Sequence, residues 1–188
     1  MRKPAVTTVD IHPVLAERWS PRAFDATAVV KVDDLNAILE AGRWAPSAFN
    51  RQPWKFLVGH RGDENFAKLS GVLSGFNKEW APRASVLIAA NAITVDAEGN
   101  PIPSALFDLG LAVGYMSVEA HHRGYSIHQM AGFERDALKA ALGLGDEVQP
   151  VVIIALGHAA DVSTLENEAL REREVAPRER KPLSEILL

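Results

Sequence analysis

Ala45-Pro46-Ser47-Ala48-Phe49-Asn50-Arg51-Gln52-Pro53-Trp54 sets loop punctuation, a hydroxyl, two amide side chains and an aromatic anchor in one short run between apolar segments. Before it, residues 32–41 carry apolar side chains at helical spacing behind an Asp placed to cap a helix, and Pro46 forbids its continuation. After it, residues 54–59 read as a strand, with Gly59 and Gly62 ending it. The run therefore connects a helix to a strand, and its polar groups form a cradle suited to a ligand. Upstream, Arg18-Trp19-Ser20-Pro21-Arg22-Ala23-Phe24 offers a second cradle. A guanidinium gives phosphate two parallel charge-assisted hydrogen bonds, and a nearby hydroxyl adds a third. Two polar cradles point to one phosphorylated cofactor. Taken singly, each has a plainer reading: Ser47 and Asn50 can simply brace their loop, and loop arginines are often solvated.

Outward from these cradles, helices and strands alternate. Residues 64–73 read as a helix, 84–92 as a buried strand and 96–101 as a turn. Residues 104–123 form a long helix whose apolar positions Leu106, Leu109, Leu111, Val113, Met116 and Val118 spread around the circumference. Such a helix expects burial on most sides, either by its own sheet or by a second subunit approaching over Gly110 and Gly114. We expect a homodimer. Residues 125–128 read as a short strand leading to Ala131-Gly132-Phe133, residues 134–142 as an amphipathic helix ended by Gly143, and 150–157 as the strongest strand. The tail from Glu166 to Lys181 is charged and poor in core residues, and Pro182 to Leu188 supplies an apolar end that can dock on a partner.

At 188 residues and 47% hydrophobic, the chain suits a single domain spanning 1–188. With 20 Lys and Arg against 24 Asp and Glu, it has no large basic field for nucleic acid or an anionic membrane. Nothing in the first ten residues reads as an export signal, and the apolar runs are far below membrane-helix length, so the expectation is a cytoplasmic protein. There is no cysteine, hence no disulfide, thiolate metal site or cysteine nucleophile. The six histidines make no zinc pattern, no Gly-x-Ser-x-Gly elbow occurs, and no Gly-x-Gly-x-x-Gly follows a strand. No protein-borne acid, base or nucleophile stands out, and a cofactor that carries its own chemistry explains that gap.

Arg18-x-Ser20-x-Arg22-x-Phe24 followed by Ala45-Pro46-Ser47-Ala48-x-Asn50-x-Gln52-Pro53-Trp54-x-Phe56 resembles the FMN-dependent nitroreductase family. The resemblance runs on through residues 82–90, 108–124, Ala131-Gly132-Phe133, 151–157 and Arg178-Glu179-Arg180-Lys181-Pro182-Leu183. It implies an α+β fold with a mixed, mainly antiparallel sheet flanked by helices, assembled as an intertwined homodimer whose C-terminal tail, about 166–188, packs on the partner. It also implies FMN at the subunit interface. Arg18 and Ser20 hold its phosphate or ribityl chain, Arg22 approaches the ring, and Arg180 returns to the phosphate with Arg178 or Lys181. Pro46, Ser47, Ala48 and Asn50 come from the other subunit, Ala131 and Gly132 present backbone N–H groups, and Gln52 and Lys78 are weaker carry-overs. Phe49, Phe76 and Trp80 are candidate walls of a substrate pocket. The implied reaction is ping-pong hydride transfer from NAD(P)H through flavin N5 to a small electrophile such as a nitroaromatic or quinone, without metal. Alternatives are a non-catalytic FMN-binding protein or a relative using flavin for dehalogenation or flavin breakdown. His158 stands where the family commonly has an aromatic residue, and residues 69–80 carry no signature of a particular acceptor.

Overall fold

Val86, Leu87, Ile88, Ala89 and Ala90 are buried in unbroken succession. A strand without a polar face needs cover on both sides, and this sets the architecture. The computed structural model describes residues 1–188. Strands β1 (Trp54–His60), β2 (Val86–Ile93), β3 (Ser126–Met130) and β4 (Val148–Gly157) form one sheet in the order β1-β2-β4-β3, with every neighbouring pair antiparallel. The helices are α1 (Pro13–Glu17), α2 (Val32–Arg43), α3 (Glu64–Gly71), α4 (Asn77–Trp80), α5 (Ala105–His122), α6 (Arg135–Leu142) and α7 (Glu168–Val175). The expected α+β fold is the observed one, and no helix is long and apolar enough to cross a membrane.

Alternation along β2 divides the core. Val86, Ile88, Ala90 and Ala92, with Ile154 and Leu156 of β4, pack against Leu35 and Ile38 of α2 and Leu109, Ala112 and Met116 of α5. Leu87, Ala89, Ile153 and Ala155 face the other way, toward Phe24, Phe66 and Leu69 of α3, Trp80, Leu138 of α6 and Leu170 of α7. Each large apolar side chain so buried contributes about 1.5–3 kcal/mol against exposure. Gly42 lets α2 lie directly on α5, since a Cβ there would sit 2.8 Å from Met116 Cγ. Pro150 is tolerated in central β4 because the register shifts there: Asn91 opposes Pro150 and Ala90 opposes Val152, leaving Val151 as the extra residue of a bulge.

Three local expectations change. Lys31, not an Asp, sits at the N-cap of α2 and makes no side-chain cap. Asp33 and Asp34 lie inside the first turn, where a negative charge suits the helix dipole, and Asp34 is drawn away to Tyr125 Oη (2.8 Å) and Arg123 (2.9 Å). The long helix α5 is covered by its own chain on one side only. Ala105, Asp108, Leu109, Ala112, Met116 and Ala120 are buried, whereas Phe107 is 69% exposed, Leu106, Tyr115 and Val118 are exposed too, and nothing lies within 4 Å of a Cβ built on Gly110 or Gly114. Finally, α7, part of the tail expected to pack on a partner, turns Leu170 and Glu174 into its own chain, where each is 1% exposed. Residues 181–188 are exposed throughout.

Candidate functional site

The segment after α1 is positioned by a carboxylate from the far end of the chain. Glu174 of α7 accepts both oxygens' worth of hydrogen bonds from the Arg22 N–H (2.9 Å to each) and one from the Ala23 N–H (3.0 Å), with the Arg22 guanidinium 3.9 Å away. On the opposite side, the ring of His128 on β3 bonds the Pro21 carbonyl through Nδ1 at 2.9 Å and lies 4.6 Å from the Trp80 ring. Burial lowers the His128 pKa to about 4, helped by repulsion from Arg22 and Arg18 and opposed by the Pro21 carbonyl. The imidazole is therefore neutral at pH 7, and Nδ1 is the atom that carries the proton toward that carbonyl.

Held between these anchors, Arg18, Ser20 and Arg22 open onto a cavity of about 330 Å³ that Lys3, Arg173, Arg178 and Arg180 also line. Six cations thus face a space whose wall holds one acidic residue, the exposed Glu179, while the buried Glu174 nearby is turned onto backbone N–H groups. Burial and then repulsion from Arg178 and Arg180 lower the Arg18 pKa; burial, followed by repulsion from Arg180, does the same for Arg178. Arginine stays protonated despite such shifts, so the cavity holds a standing excess of positive charge that an anion would relieve. The arginines differ in freedom. Arg178 spends its Nη1 on the carbonyls of Lys3 (2.8 Å) and Ala16 (2.7 Å), whereas Arg18 hydrogen-bonds only Ser20 Oγ (3.3 Å) and Arg180 only the adjacent Glu179 carbonyl (2.6 Å). Lys181 is exposed, with its ammonium 3.9 Å from Glu185.

The second cradle is held by conformation instead of charge. Phe49, Asn50 and Gln52 take φ values of +53°, +55° and +48°. A left-handed backbone costs a non-glycine residue roughly 1 kcal/mol, with Asn the most tolerant. The loop is braced from within: Ser47 Oγ accepts from the Gln52 N–H (3.0 Å), and Gln52 Nε2 donates to both Asn50 O and Asn50 Oδ1 (3.0 Å each). Ser47 and Asn50 therefore do have the bracing role read from their types, with Gln52 as the partner that sequence reading did not supply. The outcome is a protruding tip in which Phe49 is 90% exposed, with the Arg51 guanidinium 5.2 Å from its ring, while Pro46 is exposed and Ala48 half-buried.

A third element lies at the end of β3. Gly132 packs so closely on residues 74–77 that a Cβ would meet Asn77 Nδ2 at 2.8 Å, and its carbonyl accepts from Ser74 N (3.0 Å) and Asn77 Nδ2 (3.1 Å). The N–H groups of Ala131 and Gly132 donate to no other protein group. Phe76, beside Asn77, is 39% exposed under the Arg173 guanidinium at 4.8 Å, and Lys78 is exposed on α4. Trp80 is not a pocket wall. It is 1% exposed, stacked at 6.0 Å on Phe24, and its Nε1 has no partner; four residues of α4 are too few to turn so large a ring outward while its neighbours need it in the core.

Within one chain the structure gathers Arg18, Ser20, Arg22, Arg178 and Arg180 but keeps the 46–52 loop apart. The three cavities that Arg18 lines have no residue of that loop in their walls. An open groove of about 450 Å³ instead runs from Arg18 and Ser20 along Gly110, Leu111, Gly114 and Val118 of α5 to Gln129. Lys3, Asn77, Asp108, Gln129, Arg173 and Glu174 are site or supporting residues that the sequence did not single out. Only Leu170, four residues before Glu174, hints that one face of the charged tail turns inward.

The antiparallel α+β fold carries a cationic, half-open cavity and, at the end of β3, unpaired backbone N–H groups, chemistry suited to a phosphorylated ligand with hydrogen-bonding edges. The pattern of the Nitroreductase family matches residues 15–76 and 63–158, and the chain belongs to that family. An uncharacterised 15.4 kDa protein of Mycolicibacterium smegmatis is 38% identical over 140 residues, covering 70% of this chain and 92% of its own length. A protein of Bacillus subtilis strain 168 bearing an NAD(P)H nitroreductase name, YdgI, is 25% identical over 83% of this chain and 91% of its own length. Among solved structures, one described as an oxidoreductase containing FMN is 34% identical, with a TM-score of 0.91 over 98% of this chain and 93% of that one.

Proposed function

We propose that this chain is an NAD(P)H-dependent FMN oxidoreductase acting as a homodimer on small electrophilic acceptors in the cytoplasm. The observation that carries the reading is the cluster of Arg18, Arg22, Arg173, Arg178, Arg180 and Lys3 around one cavity whose wall holds a single acidic residue, the exposed Glu179. The residues fit FMN: the cations suit its phosphate, and the unpaired N–H groups of Ala131 and Gly132 suit the acceptor atoms of its ring. Bound FMN supplies the redox chemistry, accepting hydride from NAD(P)H in one half-reaction and reducing a nitroaromatic, quinone or similar electrophile in the next.

The protein's part is binding, orientation and charge. Arg18, Ser20 and Arg180 take the phosphate, while Arg178, committed to Lys3 and Ala16, fixes the tail that carries Arg180. Arg22, held by Glu174, offers a cation to the side of the ring where electron density collects. Pro46, Ser47, Ala48 and Asn50 come from the second subunit, whose approach over Gly110 and Gly114 would cover the exposed α5 face. Phe49 and Phe76, both accessible, border the opening through which donor and acceptor enter in turn. An absorbance spectrum of the purified protein, before and after anaerobic NADH and NADPH, tests this. Flavin bands that bleach support the reading; flavin that stays oxidised favours a binding protein, and failure to take up added FMN overturns the proposal.

A further inference from the structure

The loop of residues 46–52 is strained at three positions, yet almost every bond that holds it is internal. Two hydrogen bonds leave that run: the Trp54 N–H donates locally to the Gln52 carbonyl (2.9 Å), and the one bond to a distant part of the chain runs from the Ala48 N–H to Oδ2 of Asp108, 3.3 Å away. Asp108 is 2% exposed, on the buried side of α5 near its N-terminal end. A carboxylate is rarely buried without a task, and no lysine, arginine or histidine pairs with this one. Strained loops persist only where the surrounding structure over-determines them. Internal bracing fixes the shape of this tip, but it cannot fix where the tip sits on the protein.

We infer that Asp108 is a positioning residue for the flavin: by holding Ala48 it sets the height and tilt at which the 46–52 tip is presented to the neighbouring subunit's cofactor. This rests on the FMN reading above. The residue acts through Ala48 and does not itself touch the cofactor. It also ties the tip to α5, the helix whose other side is the open groove beside Arg18, so the loop and the helix's exposed face are carried on one rigid element.

The test compares wild type, Asp108→Asn and Asp108→Ala by amide exchange of residues 48–52 in FMN-free protein and by FMN affinity, with melting temperature as a fold control. Asn keeps an acceptor oxygen, and Ala removes it. The expected result is faster exchange at Ala48 and Gln52 and an FMN Kd raised on the order of tenfold in Asp108→Ala, both largely restored in Asp108→Asn. A melting temperature that falls in Asp108→Ala with unchanged loop exchange and unchanged FMN Kd overturns the inference and leaves the FMN reading standing. Should Asp108→Ala fail to fold, Asp108→Asn and Asp108→Ser carry the same comparison, and full loss of FMN affinity in Asp108→Asn would mean that charge, not the bond to Ala48, is what matters, which also overturns it. Wild-type protein that binds no FMN removes the parent reading and this one with it.

Discussion

The arginine cradle and the 46–52 loop solve the same problem, holding polar groups ready for a ligand, by opposite means. Around Arg18 and Arg22 the backbone is relaxed and the cost is electrostatic: like charges are crowded, and a buried carboxylate and a neutral histidine hold the segment from either side. In the loop, charge is nearly absent and the cost is conformational, three left-handed non-glycine residues locked by their own side chains. A charge-built site should therefore respond to pH, salt and single carboxylates, whereas a strain-built site should respond to glycine substitutions.

The largest effect is expected at Glu174. Glu174→Ala leaves the Arg22 and Ala23 N–H groups without an acceptor and removes the buried anion beside the Arg22 guanidinium, a loss of about 3–5 kcal/mol in denaturant unfolding. Glu174→Gln, which keeps an acceptor oxygen, should lose clearly less. Equal losses would mean that charge alone holds the segment.

Next comes pH. Because His128 titrates at about 4 in the folded chain and near its ordinary 6.5 when unfolded, the unfolded state binds the proton first as the pH falls. Stability from this group is complete above pH 6.5 and declines from there to pH 4, by as much as about 3 kcal/mol. In His128→Gln that slope should flatten over the same window; an unchanged slope would assign it to carboxylates.

Arg18→Ala should leave the melting temperature near that of wild type, since the side chain bonds only Ser20, while weakening FMN binding roughly 10- to 100-fold. The difference should shrink in high salt. Unaltered affinity would sink the phosphate assignment. The smallest expected effect has the opposite sign. Phe49→Gly relieves a φ of +53° in a side chain that is almost wholly exposed, and should stabilise the protein by about 0.5–1 kcal/mol in spite of the flexibility that glycine adds to the unfolded chain. Destabilisation would show that packing of the Phe49 ring against Arg51 outweighs the strain.

Charge chemistry was legible where it lies in residue type: Arg18, Ser20 and Arg22 could be picked out along the chain, Arg178 and Arg180 came with the family resemblance, and the fold brings all five to one cavity. The strands were legible because burial on both faces leaves apolar runs such as 86–90. Conformation was not. Nothing in Phe49 or Gln52 announces a positive φ, and only Asn50 belongs to a type that accepts one readily. Glu174 hid in a charged run where buried and solvated carboxylates look alike, and Trp80 looked like a pocket wall because an aromatic residue reads the same in a core as at an opening. The spread of apolar residues around α5 showed that they lie on every side of the helix, but not that its own chain would bury one side and leave Leu106, Phe107, Tyr115 and Val118 exposed.

The central claim is that each cofactor site takes its arginines from one protomer and its 46–52 loop from the other. Mixed dimers of Arg18→Ala and Ala48→Trp protomers, isolated through two different tags after each variant is shown to fold, test it by FMN titration. One of the two sites in such a dimer inherits both defects and the other neither. The account predicts that both parent homodimers bind FMN poorly while the mixed dimer takes up a single FMN at wild-type affinity; a mixed dimer that binds no better than its parents would place both cradles of a site in one chain and contradict it.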